Sequence, residues 1–588
     1  MHADSNLPPT PRALSDVELQ EVLERAKAEN AGVLVQMQIL EAQAQLRETD
    51  KSELAAGKAR QSELVSEELL DVIDVKDSSS QVLGKAVMPE HDAEQEATAF
   101  DEKAKQLEVL PAAEPAVESV KSASQFWVWL TITGSLLPFA AAYWLKSLAL
   151  TMLQSIFSVL LGVLVSACIL AVGAIAGKRS SLPTMLLSRA AFGVFGNIAP
   201  SVLLVISRLF WTLALVLSGY LLIYQDSFSG SNLVSGSSNG LLALVLLTIT
   251  VLAVILANTG PKSFFWIQRI SGSIGLLTTI TLFCFKASSG ISTSERYGQG
   301  SWLRALGAAV ILFAVFGLAW SSASADYASA LKHSVRGWKV AAWSFLALAL
   351  VPSSIAIAGI LLLDNSQSSN SGFLREFAGD SASLNGLGVT SLAFSLLTTL
   401  AMALKSSSLS FESFGFRVRP RLAIIATAVG ALVLAFLGLQ YFGPIGVWSI
   451  LQGYSLVIGV PVAAWSGIFV SDVLIRRIAY HEVSLSRSYG FYKRVNWVNV
   501  SGWAFSVLIG YGLLKSDLKE FQWLGYFSNF ASNSEFWRQG NLGLVIAFAC
   551  SLLFPVLFGI PRIKKQEAEV LKIEARRNDL KDVLGVLD

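Results

Sequence analysis

Residues 177–211, GKRSSLPTMLLSRAAFGVFGNIAPSVLLVISRLFW, decide how the rest of the chain reads. The stretch leaves one apolar run through Lys178 and Arg179 and passes a segment punctuated by Pro183, Gly193, Gly196 and Pro200. It ends inside a second apolar run that carries Trp211. Basic residues between two membrane-length apolar runs mark a cytoplasmic loop. The stretch therefore predicts a polytopic membrane protein and gives this loop a side.

Composition agrees. Of 588 residues, 53% are hydrophobic and only 15% charged, against about 25% charged in soluble domains. A net charge of +2 argues against a protein that neutralises many phosphates, so no nucleic-acid partner is expected. Cys168, Cys284 and Cys550 each lie in an apolar run and read as small buried hydrophobes, neither disulfide partners nor metal ligands. With four His and no paired Cys, no metal site and no cofactor is expected.

Residues 1–124 are polar and hold no run long enough to cross a bilayer. Ser15-Asp16-Val17-Glu18 is a capping-box signature, and Leu19, Val22, Leu23 and Ala26 follow at helical spacing. A partly helical or disordered cytosolic region is expected, with a coiled coil or docking helix as the sharper alternative.

About a dozen apolar runs follow, near 126–145, 149–176, 201–224, 241–257, 264–285, 305–320, 340–363, 389–404, 422–439, 447–475, 498–514 and 543–558. The expected division is a ten-helix core over 125–479, a loop with two more helices over 480–560, and a cytosolic tail over 561–588. Lys and Arg recur in alternate connections: Lys262 and Arg269; Arg336 and Lys339; Lys405, Arg419 and Arg421; Arg476, Arg477, Lys493 and Arg494. The connections between, at 226–239 and 365–385, are rich in Ser, Gly and Asn. Both termini are therefore expected in the cytoplasm, and the chain in the cell membrane.

Two runs contain weak helix formers. The first reads Thr131-Ile132-Thr133-Gly134-Ser135-Leu136-Leu137-Pro138, and the sixth ends Phe316-Gly317-Leu318-Ala319-Trp320-Ser321-Ser322-Ala323-Ser324. Corresponding positions five spans apart point to broken helices in inverted repeats, whose freed backbone groups line a binding site. Small residues that let helices pack closely are the other reading, and the pattern alone leaves the two level.

Four motifs in order carry a resemblance. Ser188 to Pro200 reads S-R-A-x-F-G-x-x-G-N-x-x-P. Trp320-Ser321-Ser322-Ala323-Ser324-Ala325-Asp326-Tyr327 closes the sixth run. Leu409-Ser410-Phe411-Glu412-Ser413-Phe414-Gly415 closes the eighth, and Trp465-Ser466-Gly467-Ile468 leads to Asp472, Arg476 and Arg477 in the tenth. Together they are similar to the nucleobase:cation symporter-1 family, purine–cytosine permease branch. The resemblance implies an all-α leucine-transporter-type fold, two inverted five-helix repeats plus two helices. It implies a symporter for a nucleobase-like substrate and no enzyme.

The same resemblance implies substrate binding by Trp211, Trp320, Gly134, Ser135, Ser321 and Thr399, and cation binding or coupling by Thr131, Thr133 and Thr398. Leu215 stands where some members carry an amide, so another small solute, an amino acid or vitamin, is an alternative. A membrane receptor or scaffold is a further one. Sodium-coupled members close their site with hydroxyls on span eight, where Ala393 and Phe394 fall here, so a proton is expected over sodium. Asp326, Asp472 and Arg189 are expected to pair locally, and Arg208 to snorkel or pair inside the bundle. Deleting residues 1–124 is expected to leave uptake per surface molecule largely intact; lost uptake with normal insertion would mean that the region gates or docks.

Overall fold

The first apolar run breaks where its sequence turns weak. In the computed structural model it forms two helices, Ser124–Thr133 and Leu137–Ser147, bent by 46°. Gly has the largest backbone entropy to lose, and Ser competes for backbone hydrogen bonds, so Gly134-Ser135 is a natural breaking point. The structure describes residues 121–135, 137–228, 237–288, 300–331, 335–362, 381–411, 418–486, 491–516, 519–527 and 534–584, and statements of structure concern these. The N-terminal capping box and the Glu412-to-Gly415 end of the third motif lie outside them. The described residues through Ile573 fall in one compact unit, and only the end of a helix is described of the other.

Every regular element among the described residues is helical. The second span, Met152–Ser180, opens on a capping box between Thr151 and Gln154. A short helix, Thr184–Phe192, precedes the third span, Ile198–Phe228. The fourth is Ser237–Ala257 and the fifth Pro261–Ser288. The sixth runs Trp302–Phe313, widens into a π turn at Ala314–Leu318, and ends at Ala319–Ser321. The seventh is Gly337–Phe345, a π turn Leu346–Leu350, and Val351–Leu362; the eighth is Ala382–Phe411. The eleventh is Trp497–Leu513. The last runs Leu542–Phe554, widens at Pro555–Gly559 and continues as Ile560–Leu584. Pro555 has no N–H to give the preceding turn, which is why the helix widens there.

Nine helical stretches are long and apolar enough to cross a bilayer, and the bent first pair makes ten. Ser237–Ala257 and Trp497–Leu513 add apolar helices of 21 and 17 residues, compatible with twelve crossings. One expectation needs correcting. The ninth and tenth runs belong to a single helix, Pro420–Ile475, of 56 residues. Straight, it would be about 84 Å long, against a hydrocarbon core of about 30 Å. It holds two membrane-length stretches in succession, Pro420–Phe442 and Gly453–Ile475. Pro444 between them deletes one backbone bond, and membrane helices tolerate that without losing helical dihedrals.

The cysteines are also corrected. Cys168 and Cys284 are exposed and Cys550 partly so, all with free thiols. They share outward faces with Leu164, Ile280 and Leu277, themselves exposed. An apolar neighbourhood in the sequence means lipid here, not protein interior.

Small residues do pack closely where the second span meets the sixth. The second span packs its glycines on the sixth: a Cβ on Gly162 would lie 2.5 Å from the Ala309 carbonyl, and one on Gly177 2.3 Å from that of Ala325. Ser166 donates to the carbonyl of Gly162 at 2.7 Å and to that of Phe313 at 3.3 Å, beside the π turn. Close packing thus supports the irregular end of the sixth span.

The 188–200 motif is a joint. Ser188 Oγ bonds Asn197 Oδ1 at 2.6 Å and accepts from Trp465 Nε1 at 2.8 Å. Gly193, at φ +86°, lets the backbone press on 493–495, where a Cβ would meet the Lys493 carbonyl at 2.6 Å. Asn496, Asn499 and Arg562 all donate to the Ala191 carbonyl, at 2.6, 2.9 and 2.9 Å. Arg189 donates to the Leu485 carbonyl at 2.7 Å.

Candidate substrate site

After Ser321 the chain stays inside the bundle. Residues 322–328 are buried and run in tight turns, with Ala323 N to the Trp320 carbonyl at 2.9 Å and Asp326 N to that of Ala323 at 3.2 Å. Side chains from other elements meet what these turns leave over. Gln125 Nε2 donates to the Tyr327 carbonyl at 2.9 Å, and Ala325 N donates to Thr184 Oγ1 at 2.9 Å. Among the described residues Asp326 forms no ion pair with a neighbouring cation. Its Oδ1 accepts from Thr184 N and Oγ1 at 2.9 and 2.8 Å, and its Oδ2 from Ser406 Oγ at 2.7 Å. Three residues from three other elements, Gln125, Thr184 and Ser406, therefore pin the sixth-span exit where no helix does.

Aromatic rings surround that exit. Trp320 meets Trp129 edge to face at 6.2 Å, and Trp129 meets Tyr327 the same way at 5.7 Å. Tyr327 stacks on Phe264 at 6.2 Å and donates its hydroxyl to the Met402 carbonyl at 2.8 Å. The Arg208 guanidinium lies over the Trp320 ring, 5.1 Å from its centroid. Such a desolvated cation–π contact is worth about 2 kcal/mol. Trp211, one turn beyond Arg208, is half-buried, packs against the same core and meets Phe210 at 5.2 Å.

The first-span break faces spans five and eight. The Gly134 carbonyl, the Ser135 Cα and Ser395 Oγ all lie within 3.4 Å of the point a Cβ on Gly275 would occupy. Thr131 donates to the Gln268 carbonyl at 2.9 Å, Gln268 Nε2 to that of Thr398 at 3.2 Å, and Ser271 shares a bond with the Thr398 hydroxyl at 2.7 Å. Ser395 Oγ and Thr399 Oγ1 are buried with no hydrogen-bond partner.

The family model for permeases of cytosine/purines, uracil, thiamine and allantoin matches residues 117–534. The chain belongs to this permease family. The permease is similar in fold to Mhp1, described as a nucleobase-cation-symport-1 family transporter, in its closed conformation with bromovinylhydantoin bound. The TM-score is 0.56 at 17% identity, over 78% of this chain and 99% of that one. The inward-facing conformation of Mhp1 gives 0.52 at 18% identity, over 76% and 90%. No curated protein matches the permease in sequence. The motif resemblance and the leucine-transporter-type fold expected from it both hold, and family and fold are those of secondary transporters, not enzymes.

In the permease, Trp320 and Ser321 lie at the sixth-span exit and Trp211 packs on the same large core from the third span, whereas Gly134 and Ser135 lie at the first-span break. Ser321 is occupied locally, donating to the Leu318 carbonyl at 2.9 Å, as is Ser135 to that of Ile132 at 3.2 Å. Thr131 and Thr398 share one network, but Thr133 turns to the seventh span and donates to the Ala347 carbonyl at 2.8 Å. Sequence reasoning missed Trp129, Gln268 and the weight of Arg208. A lone cation in an apolar run was the signal for the last.

Proposed function

We propose that the permease is a secondary active symporter of the cell membrane that imports a nucleobase or related planar heterocycle, such as cytosine, a purine or allantoin, by alternating access. The observation that carries this reading is Trp320, buried where the sixth span gives way to tight turns, with Trp211 of the third span packed on the same core. A π face in a dry site holds any flat ring, and irregular backbone beside it supplies donors and acceptors. The Lys and Arg bias supports cytoplasmic termini. The test is a thermal-shift panel of nucleobases, nucleosides and amino acids on purified protein, since a ligand stabilises by RT ln(1 + [L]/Kd). Stabilisation by amino acids alone would overturn it.

Proton coupling is our reading of the drive, from Ala393 and Phe394. One observation favours sodium: Ser395, the next residue, has a buried unpartnered hydroxyl near the Gly134 carbonyl. Oxygen ligands of that kind suit a hard cation. Uptake is expected to collapse with a proton ionophore and to persist without external sodium at fixed pH. Uptake that needs sodium and ignores the ionophore would make Ser395 the ligand to mutate.

A further inference from the structure

Arg208 is the group the transporter reading leaves unexplained. It sits in the first half of the third span, 2% exposed, among apolar neighbours in the sequence. Of its three nitrogens only Nη2 has a hydrogen-bond acceptor, Ser322 Oγ at 2.7 Å; Nε and Nη1 are buried without one. No carboxylate among the described residues forms an ion pair with it. Asp326 is close enough to feel its charge, but both of its oxygens are taken by Thr184 and Ser406.

A guanidinium offers five N–H donors in a planar fork. Nη2 belongs to both edges of that fork, one shared with Nε and one with Nη1. Whichever Nη2 hydrogen goes to Ser322, one complete two-donor edge is left without an acceptor. A buried fork of this kind matches two acceptor atoms of one anionic group. Its other partner fixes where that group lies. The guanidinium covers the Trp320 ring, so an acceptor on its open edge is attached to something beside that ring, and Trp211 follows one turn later on the same helix.

We propose that Arg208 is a substrate-binding residue and selects an acidic N-heterocycle, a ring bearing a carboxylate or a deprotonated amide, over its neutral counterpart. The inference rests on the heterocycle reading above. The anionic group meets the open edge of Arg208 while the ring lies against the tryptophans. Binding neutralises a buried charge that the protein itself leaves without an ion pair, and a neutral base gives the same fork weaker acceptors and no neutralisation.

Two pairs of probes test this on the purified full-length protein: orotate against uracil, and nicotinate against nicotinamide, with Kd measured by calorimetry. At least one acid is expected to bind roughly tenfold or more tighter than its neutral partner. Arg208→Gln is expected to bring that pair to within roughly threefold, and Arg208→Lys, which keeps the charge but not the planar fork, to fall between. Ser322→Ala leaves the fork intact and should keep the preference, so the test survives if Arg208→Gln fails to fold. Neutral partners binding as tightly as the acids, an acid preference untouched in the Arg208 variants, or no binding by any probe would each overturn the proposal. Cyclohexanecarboxylate separates the two readings. If it binds as well as nicotinate and depends on Arg208, the acid site stands and the planar-ring assignment fails. If uracil and nicotinamide bind and the acids do not, the ring assignment stands and this inference fails.

Discussion

Asp472→Ala is expected to lower stability by about 3–5 kcal/mol, the cost of stranding a buried charge. Asp472 accepts from Arg476 Nε and Nη2 at 3.2 and 3.1 Å and from the Tyr480 hydroxyl at 3.3 Å. Arg562 Nη2 approaches its other oxygen at 3.7 Å. Burial works against the Arg476 guanidinium, yet the Asp472 carboxylate, with Tyr480 and Tyr492, holds its pKa above the ordinary arginine value. Burial, and then the same carboxylate, push the Tyr480 hydroxyl above the ordinary phenol range. Removing Asp472 leaves Arg476, with its side chain 1% exposed, a single side-chain hydrogen-bond acceptor among the described residues, Gln566 at 2.8 Å. Asp472→Asn keeps an acceptor and should cost less. The measurement is melting temperature and the yield of monodisperse protein in detergent. A wild-type melting temperature for Asp472→Ala would mean that the cluster contributes nothing to holding the tenth span to the last helix.

Trp211→Ala is expected to weaken substrate binding by roughly tenfold or more, since stacking on an aromatic ring is worth about 1–3 kcal/mol per base. Trp211→Phe keeps a smaller π face and should lose less. Trp211 is half-buried and packs against Leu- and Ala-rich core, so truncation also removes packing. The two effects separate when Kd and melting temperature are measured on the same preparations. A packing residue would lower the melting temperature and leave the affinity of surviving protein near wild type. That result would move the stacking platform to Trp320, whose ring is already flanked by Trp129 and Arg208.

The candidate site was legible in part. Trp211 and Trp320 were singled out through the family resemblance, since both stand at set places in or after its motifs. Thr399 and Ser395 could not be told apart by the sequence, because a slip of a few residues turns a helix face by most of a turn. The direction of the Thr133 hydroxyl, toward the Ala347 carbonyl of the seventh span, was hidden for the same reason. Asp326 was assigned a basic partner because Lys and Arg were near it in sequence. Its real partners, Thr184 and Ser406, are 142 and 80 residues away.

Amphipathy, run length and Lys/Arg asymmetry are local properties, and a bilayer imposes the same solvent on every span. The sequence by itself therefore determined the membrane class, the number of apolar runs to within what the helices allow and, through four motifs, the family, while it left the first-span break as one of two readings. Which side chains meet across spans depends on helix rotation and on contacts more than a hundred residues apart, and only the tertiary structure decided those. It turned the 188–200 motif into a joint on the Ala191 carbonyl, joined the ninth and tenth runs into one helix, and turned the cysteines outward. It also left Arg208 over Trp320 with an edge of its fork unused, which no periodicity encodes.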